Sequence, residues 1–318
     1  MTSPLLPQEI YLLERYSSAS YFLALRDAWT EMVAHVERCL DRFTNDLPPD
    51  YRDRPLPEQP DIVWGELVLP NFRDTLKSLN EGHALLAAGD FQGLDHANGP
   101  LNDSKGQQDF GSGWMRPADE ATYGMLLNRA VMMAMNIQAT EAGYWAPGDL
   151  TTDYDAGTRG PMPLLPHWPV YRTSPTVQVR TGEPLTRTGI FLPDIPDSCA
   201  QFLHAANGNA PQTLVRIGLR DLSDASTGEK YGIEPQDELR DCTWILVERS
   251  GEDGPVVAPS SLDTVQLRIT GGSTCPRTGF WLTPASTGSR RRFVQGETMP
   301  SFESAYGATL WQWDGDQS

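Results

Sequence analysis

The chain has 318 residues, 39% of them hydrophobic, and its 25 Lys and Arg face 42 Asp and Glu, so the formal net charge is −17 at pH 7. This length suits one large or two ordinary domains, each with a core of its own. The negative charge argues against nucleic acid or an anionic membrane as a partner and favours encounter with a basic protein, although an acidic surface also serves solubility.

No targeting or metal-binding signature stands out. The first residues, MTSPLLPQEI, lack the basic and apolar regions of a secretory signal, and no run has the apolar length of a membrane span. The four cysteines, Cys39, Cys199, Cys242 and Cys275, are scattered without a CxxC pair. They are typical of small buried side chains in a reducing compartment. We therefore predict a cytoplasmic protein with no metal site and no cofactor.

The first half of the sequence has helical periodicity and predicts a mainly helical domain over residues 1–145. Apolar residues recur every three or four positions between Leu12 and Phe43, which predicts one long helix that ends at Pro48 and Pro49. The polar, glycine-rich stretch 93–113 is predicted to be a loop.

Two further helices are expected, one from about Phe72 to Gly89 and one from Asp119 to Gly143. Four methionines cluster on the second: Met125, Met132, Met133 and Met135. Because methionine adapts to irregular contacts, a partner-binding stripe is one interpretation. Their helical spacing favours core positions instead.

The second half predicts a β-rich domain over residues 174–318, preceded by a Gly/Pro-rich linker or crossing loop at 146–173. Its short runs are rich in β-branched and aromatic residues and are bounded by turn residues. One helix is predicted at 197–207, DSCAQFLHAAN, with Asp197 as its N-cap. The fold class is therefore α+β, an N-terminal helical domain followed by a β-rich domain.

One phrase occurs twice in the β-rich half, as RTGEPLTRTGIF at 180–191 and TGGSTCPRTGFW at 270–281. An offset of ninety residues aligns them and predicts a duplicated strand–turn–strand motif over 177–193 and 267–283. Gly182 and Gly272 are expected to adopt positive φ at the turns. Leu185 stands opposite Cys275, so the motif favours architecture over a paired catalytic or metal role. A Cys275 nucleophile beside a histidine is the less favoured alternative.

Catalytic motifs are missing from the sequence, which contains no GxSxG, GxxxxGK[ST], HExxH or GxGxxG. We therefore predict that the protein is not an enzyme. The run EPQDELRD at 234–241 is predicted to be a solvated loop or short helix, with a docking patch for a basic partner as the sharper alternative. The carboxylates of that patch are Glu234, Asp237, Glu238 and Asp241.

The C-terminal run CPRTGFWLTPASTGSRRRFVQGETMPSFESAYGATLWQW resembles the CPxTGxW … F…G…MP … LWQ ending of immunity proteins from bacterial polymorphic-toxin and type VI secretion loci, in particular the related families catalogued as immunity proteins seventy-one and seventy-two. The matching residues are Cys275, Pro276, Thr278, Gly279, Trp281, Phe293, Gly296, Met299, Pro300, Leu310, Trp311 and Gln312. The likeness is looser over the first copy, where Leu185 and Thr186 replace Cys-Pro, and it transfers no catalytic residues.

The resemblance implies a protein that protects its producer by binding and blocking a cognate toxin domain. An acidic chain suits this role, because carboxylates would steer it onto a basic active-site rim such as that of a nuclease-type toxin. Two alternatives remain: an enzyme that reverses a toxin's modification, and an adaptor or chaperone that loads an effector onto a secretion machine. A homo-oligomer is compatible with either interpretation.

Overall fold

The computed structural model describes residues 3–47, 49–163, 165, 167–224, 226–256, 268–283, 289–301 and 309–314. Its N-terminal helices are followed by antiparallel strands, which confirms the predicted α+β class. The chain divides into a larger unit, Met1–Leu164 with Pro169–Asp253, and a smaller unit, Leu165–Trp168 with Gly254–Ser318. The larger unit contains the described α-helices and the first copy of the repeat, so the change from helix to strand lies within it.

The α-helices of the described residues are α1 Pro7–Tyr16, α2 Ala19–Thr44, α3 Pro60–Ile62, α4 Leu69–Ala87, α5 Asn98–Gln107, α6 Pro117–Glu141 and α7 Ala156–Arg159. A π-helical segment, Val63–Val68, joins α3 to α4, and 3-10 segments lie at Tyr51–Asp53, Leu56–Glu58, Phe91–Ala97 and Ala205–Asn207.

The long helix predicted between Leu12 and Phe43 is two helices, so that prediction is wrong in its first part. Ser17 Oγ donates to Leu13 O at the end of α1 (2.8 Å), and Ser18 Oγ accepts from Tyr21 N (3.2 Å) as the N-cap of α2. Serine hydroxyls compete for main-chain groups in this way and favour a helix boundary. Helix α2 ends at Thr44, and Pro48, the predicted stop, lies outside the described residues.

Residues 93–113 are not a loop, because most of them belong to a 3-10 segment and to α5. Their glycines permit close packing. A Cβ on Gly82 of α4 would lie 2.7 Å from Gly93 O and 2.6 Å from His96 Cβ, and one on Gly99 would lie 2.8 Å from Thr75 Cγ2. Composition alone could not separate glycines that bring helices together from glycines that make a chain turn.

The predicted core position of the methionines on α6 is wrong for two of them. Met125 is 64% exposed and Met135 is 38% exposed, whereas Met132 and Met133 are half-buried. The helix buries Tyr123, Leu126 and Ile137 in the helical core, together with the small Ala130 and Ala134. Small side chains let neighbouring helices approach closely, which leaves the longer methionines at the margin of the contact.

The strands are β1 His167–Arg180, β2 Gly189–Pro193, β3 Gln201–Leu203, β4 Thr213–Ser223, β5 Lys230–Arg240, β6 Thr243–Val256, β7 Arg268–Thr270, β8 Gly279–Leu282, β9 Arg291–Phe293 and β10 Leu310–Trp313. They form a first sheet in the order β1-β6-β2-β3, a second sheet in the order β7-β10-β8-β9, and a two-stranded hairpin, β4–β5.

The helix predicted at 197–207 is wrong, because this segment contains β3 and a 3-10 turn. Asp197, the predicted N-cap, has a φ of 59°, and its carbonyl accepts from Arg216 N (2.7 Å). Strand β3 pairs with β2 and turns Phe202 and Leu203 to opposite faces of the sheet, each into a different buried cluster. Tertiary burial on both faces overrides the local helical pattern.

Both faces of the first sheet are buried. Ile190 and Leu192 of β2 belong to the same core as the helices, while Phe191, between them, belongs to a second cluster with Leu246 and Trp244 of β6. Because side chains alternate across a strand, β2 joins two cores. This strand therefore fixes the sheet on the helices and supports everything attached to the sheet's other face.

The packing at Gly82 gives a stability prediction. Gly82→Ala should lower the free energy of unfolding by about 1 to 3 kcal/mol, because its Cβ would overlap Gly93 O and force α4 from the 3-10 segment. Denaturant unfolding followed by circular dichroism measures this change. Gly124→Ala on α6 is the control: a Cβ there has nothing within 4 Å, so it should stabilise the helix by up to about 1 kcal/mol. Equal effects at both positions would contradict the close-packing argument.

Candidate functional site

The duplicated motif extends to whole sheets. Strands β1, β6, β2 and β3 stand in the same order as β7, β10, β8 and β9. In the first sheet Pro193 is paired with Trp244. In the second, Leu282, which aligns with the residue before Pro193, is paired with Gln312, so the residue before Gln312, Trp311, is equivalent to Trp244. The repeat visible in the sequence is thus the most similar part of two four-stranded modules, although Leu267, at its predicted start, lies outside the described residues.

The two modules also share a core, position by position. The equivalent apolar residues are Val179 and Ile269, Leu185 and Cys275, Phe191 and Trp281, Leu203 and Phe293, Ala210 and Met299, Trp244 and Trp311, and Leu246 and Trp313. Phe191 and Trp281 are at most 1% exposed, which confirms their predicted place in a core.

The turns follow the same plan. Gly182 and Gly272 have φ of 84° and 88°, which confirms the predicted positive values. Gly182 N donates to Ala210 O (2.8 Å), and Gly272 N donates to Met299 O (2.7 Å). The segment that ends at Ala210 or Met299 therefore closes over the glycine turn of its own module.

A tryptophan–proline contact completes each module. Trp244 Nε1 donates to Pro211 O and Trp311 Nε1 donates to Pro300 O, each over 2.8 Å. A buried indole N–H needs a partner, and here the carbonyl of a proline supplies it. This contact explains why Met299-Pro300 and Trp311 occur together in the C-terminal motif.

The remaining motif residues have structural positions as well. Cys275 is 1% exposed and its Sγ donates to Arg277 O (3.1 Å). Thr278 Oγ1 accepts from Gln295 N (2.8 Å), and Gly279 pairs with Phe293, whereas Pro276 is exposed in the turn. Among the described residues, no hydrogen bond joins Cys275 to a histidine, so the sulfur has the packing role that Leu185 has in the first copy.

The modules differ most between the proline and the tryptophan. The first carries the hairpin β4–β5 between Pro211 and Trp244, where the second has the shorter stretch 301–310. The two hairpin strands are each 11 residues long and form a sheet of their own. An insertion in one of two matching modules adds surface without being needed for the module's core.

One face of the hairpin carries exposed apolar side chains, which the Arg216–Asp237 pair divides into two groups. Leu219 and Pro235 are paired, Ile233 lies beside them on β5, and Leu239 follows towards the base; Leu219 is 67% exposed, Ile233 64% and Leu239 58%. A register shift between Arg216 and Gly218 also leaves Ile217 53% exposed. Clustered exposed apolar side chains on a strand pair indicate an interaction surface.

The predicted acidic patch has a different form in the structure. Residues 234–240 belong to strand β5 and are neither a loop nor a helix. Alternation places Glu234 and Glu238 on one face of the hairpin and Asp237 on the other. Glu234 pairs with Arg220, Glu238 with Arg240, Asp237 with Arg216, and Asp241 accepts from Gln212 Nε2. The four carboxylates therefore do not share one face, and their role in docking stays a prediction.

Arg216 fixes the base of the hairpin. Its guanidinium binds Asp237 across the strands and donates to Pro147 O (2.7 Å), and Asp153 lies 3.8 Å away. The hydrogen bond to Asp237 raises the pKa of Arg216 above its ordinary value. The hairpin is thus held near its base to the loop that follows α6, while Leu219 and Ile233, on the other side of this pair, are exposed.

A second cluster, which the sequence analysis did not identify, joins α2 to the start of α6. His35 Nε2 lies 2.9 Å from Asp119 O and 3.5 Å from Cys39 Sγ. His35, Cys39 and Asp119 could offer three metal ligands within 4.8 Å of one another. The guanidinium of Arg42 already donates to Cys39 Sγ (3.2 Å) and pairs with Asp119 Oδ2 (2.9 Å), so a cation of the chain itself occupies two of the three candidate ligands. The i, i+4 spacing of His35 and Cys39 was the only signal in the sequence.

All four cysteines are buried and unpaired by disulfides, as predicted for small core side chains. Within the part of the chain that the structure describes, no helix has both the length and the apolar character needed to cross a membrane. No protein-family model, curated protein or solved structure matches the chain.

The equivalence of Leu185 and Cys275 can be tested. Leu185→Ala should lower the free energy of unfolding by about 2 to 5 kcal/mol and Cys275→Ala by a smaller amount, because each leaves a cavity in its module. Urea unfolding monitored by tryptophan fluorescence measures both. A Cys275→Ala protein that unfolds like the parent but loses its biological activity would contradict a structural role for the sulfur.

The anchoring role of Arg216 predicts local opening on its removal. Arg216→Ala should speed amide hydrogen exchange in β4 and β5 by about tenfold or more, since hydrogen bonds to charged groups contribute about 1.5 to 3 kcal/mol. Arg220→Ala, which removes an exposed pair within the same hairpin, is the matched control and should change exchange little. Exchange unchanged in Arg216→Ala would show that the hairpin is held by other contacts.

Proposed function

We propose that the chain is a cytoplasmic immunity protein that binds and neutralises a cognate antibacterial toxin, and that hairpin β4–β5 is its principal contact. The observation that carries the proposal is the group of exposed apolar side chains on this hairpin, which stands where the second module has only the ten residues 301–310. The C-terminal motif supports the class of protein, since it resembles that of immunity proteins.

The motif itself is unsuited to recognition. Cys275, Trp281, Met299 and Trp311 are all at most 1% exposed, so they cannot contact a partner without unfolding the module. A toxin would have to be recognised by residues outside this shared core. The hairpin supplies such residues on the scaffold that the motif builds.

The chemistry of the hairpin suits a basic partner with an apolar site at its centre. If a partner covered Leu219, Ile233 and Leu239 fully, the burial of each side chain could contribute up to roughly 1.5 to 3 kcal/mol to the free energy of binding. Residues 213–241 also contain seven carboxylates and four basic side chains, so the surroundings of the apolar face are acidic. Apolar anchors with a charged rim are the usual form of a tight interface, and acidic charge speeds encounter with a basic active-site rim.

Inhibition by occlusion makes a specific prediction for co-expression. Cells that express the toxin encoded beside this gene should survive with the parent chain and die with Leu219→Asp/Ile233→Asp, because two charges on the apolar face should weaken binding at least about tenfold. Colony counts measure protection, and calorimetry with the toxin's C-terminal domain measures affinity. Leu56→Asp is the matched control: Leu56 is 61% exposed and lies outside the hairpin, so this variant should protect fully.

The same experiment separates the other functions. An occluding inhibitor neutralises toxin in equal molar amount, whereas an enzyme that reverses the toxin's modification would protect when present well below the toxin's concentration. An adaptor would bind the toxin and leave it lethal. Protection by the hairpin variant equal to that of the parent would show that the contact lies elsewhere.

A further inference from the structure

A basic cleft lies where the junction of α1 and α2 meets α6 and the segment 159–163. It has a volume of about 270 Å3, and its charged lining residues are Arg15, Arg129 and Arg159. An adjoining hollow of about 460 Å3 shares Arg15 and Tyr21 with it and adds Arg249. Several guanidinium groups lie close together here, so this part of the surface is positively charged although the net charge of the chain is −17.

One wall of the cleft is formed by side chains on one face of helix α6. Arg129, Met132, Met133 and Asn136 follow at helical spacing, and the first three line the cleft. Asn136, which is fully buried, lies beneath it: its Nδ2 donates to Tyr21 OH (3.1 Å) and to Arg159 O (2.9 Å). Met132 and Met133, predicted to be core residues, are thus half-buried and line the cleft.

Two of the guanidinium groups are held against aromatic rings. Arg15 Cζ lies 5.3 Å from the centre of the Tyr21 ring, and Arg159 Cζ lies 4.5 Å from that of Trp145. Neither forms an ion pair within the described residues. Arg129 lies 3.6 Å from Glu31 in an exposed pair that contributes little. Stacking fixes the position of a guanidinium and leaves its edge N–H groups available for an anion.

The nearby carboxylates already have partners. Glu14 in the adjoining hollow accepts from Tyr171 OH (2.6 Å), and Asp155 accepts from Gly157 N (2.9 Å) and Thr158 Oγ1 (3.0 Å) at the start of α7. They do not neutralise the guanidinium groups by direct contact. A doubly charged anion therefore fits the cleft better than a single carboxylate would, because phosphate oxygens accept two N–H bonds from one guanidinium and have oxygens left for another.

We propose that this cleft binds a phosphate ester of a ring compound, of nucleoside monophosphate size. The arginines would hold the phosphate, and the ring would lie against Met132, Met133 and the Tyr21 ring, where sulfur–aromatic contacts are favourable. The volume of the cleft lies just below the usual range of ligand sites, about 300 to 1,000 Å3, so a small ligand is favoured. Binding of such a ligand does not depend on the proposed immunity function, since none of the cleft residues belongs to the hairpin.

Calorimetry with the full chain tests the proposal, with AMP, adenosine and inorganic phosphate as separate probes. AMP should bind, and both adenosine and phosphate should bind at least about tenfold more weakly, because each lacks one half of the ligand. Arg15→Gln and Arg159→Gln should each lower AMP affinity by about tenfold or more. Arg73→Gln, which removes an exposed arginine paired with Glu37, is the control and should bind AMP like the parent.

Methyl NMR of the methionines locates the site without any mutation. AMP should shift the methyl signals of Met132 and Met133 and leave that of Met125, 64% exposed on the same helix, in place. Failure of AMP to bind at millimolar concentration would overturn the proposal, as would unchanged affinity in both arginine variants. Inorganic phosphate that binds as tightly as AMP, or shifts confined to Met125, would also overturn it.

Discussion

The burial of strand β2 on both faces is the constraint on which the larger unit depends. Ile190 and Leu192 pack into the helical core while Phe191, between them, packs against Trp244 and Leu246. A one-residue slip in the pairing of β2 would exchange these faces, so two cores specify the register together. The helices, the first sheet and the hairpin base are therefore parts of one folded body rather than a helical domain beside a β domain.

The second module shows how the same plan changes with its surroundings. Phe280, Leu282 and Arg292 occupy the places of Ile190, Leu192 and Phe202, so an exposed cation stands where the first module has a 3% exposed aromatic ring. Arg290 lies over the Phe280 ring at 4.1 Å. The apolar core shared by the two modules is kept, whereas the opposite face of the sheet, with Phe280 and Arg292, differs between them.

Sequence reasoning succeeded where one local pattern decided the structure. Apolar spacing predicted the buried face of α2, and the repeat predicted positive φ at Gly182 and Gly272 and burial of Phe191 and Trp281. It failed where distant contacts decide. The glycine-rich stretch is helical because Gly82 and Gly93 let the two segments pack closely. The segment around Phe202 is a strand, despite its helical pattern, because both of its faces are buried.

The candidate sites were harder to predict for the same reason. The carboxylates of EPQDELRD were visible, but their ion pairs with Arg216, Arg220 and Arg240 lie across or along a hairpin whose register no local signal specifies. The apolar face of that hairpin was hidden because alternation intersperses Ile233 and Leu239 with acids. The basic cleft brings side chains of the adjacent helices α1 and α2 together with those of α6 and α7, which lie more than a hundred residues further along the chain.

The distribution of charge suits the hairpin and the basic cleft to different kinds of partner. A net charge of −17 repels a small anion at long range, so an anionic ligand could be held only where several guanidinium groups act within a few ångströms and salt screens the rest of the surface. A basic protein is attracted by the same field from a distance and needs no pocket. The acidic surroundings of the hairpin thus favour a basic partner, whereas the arginines of the cleft favour an anionic one.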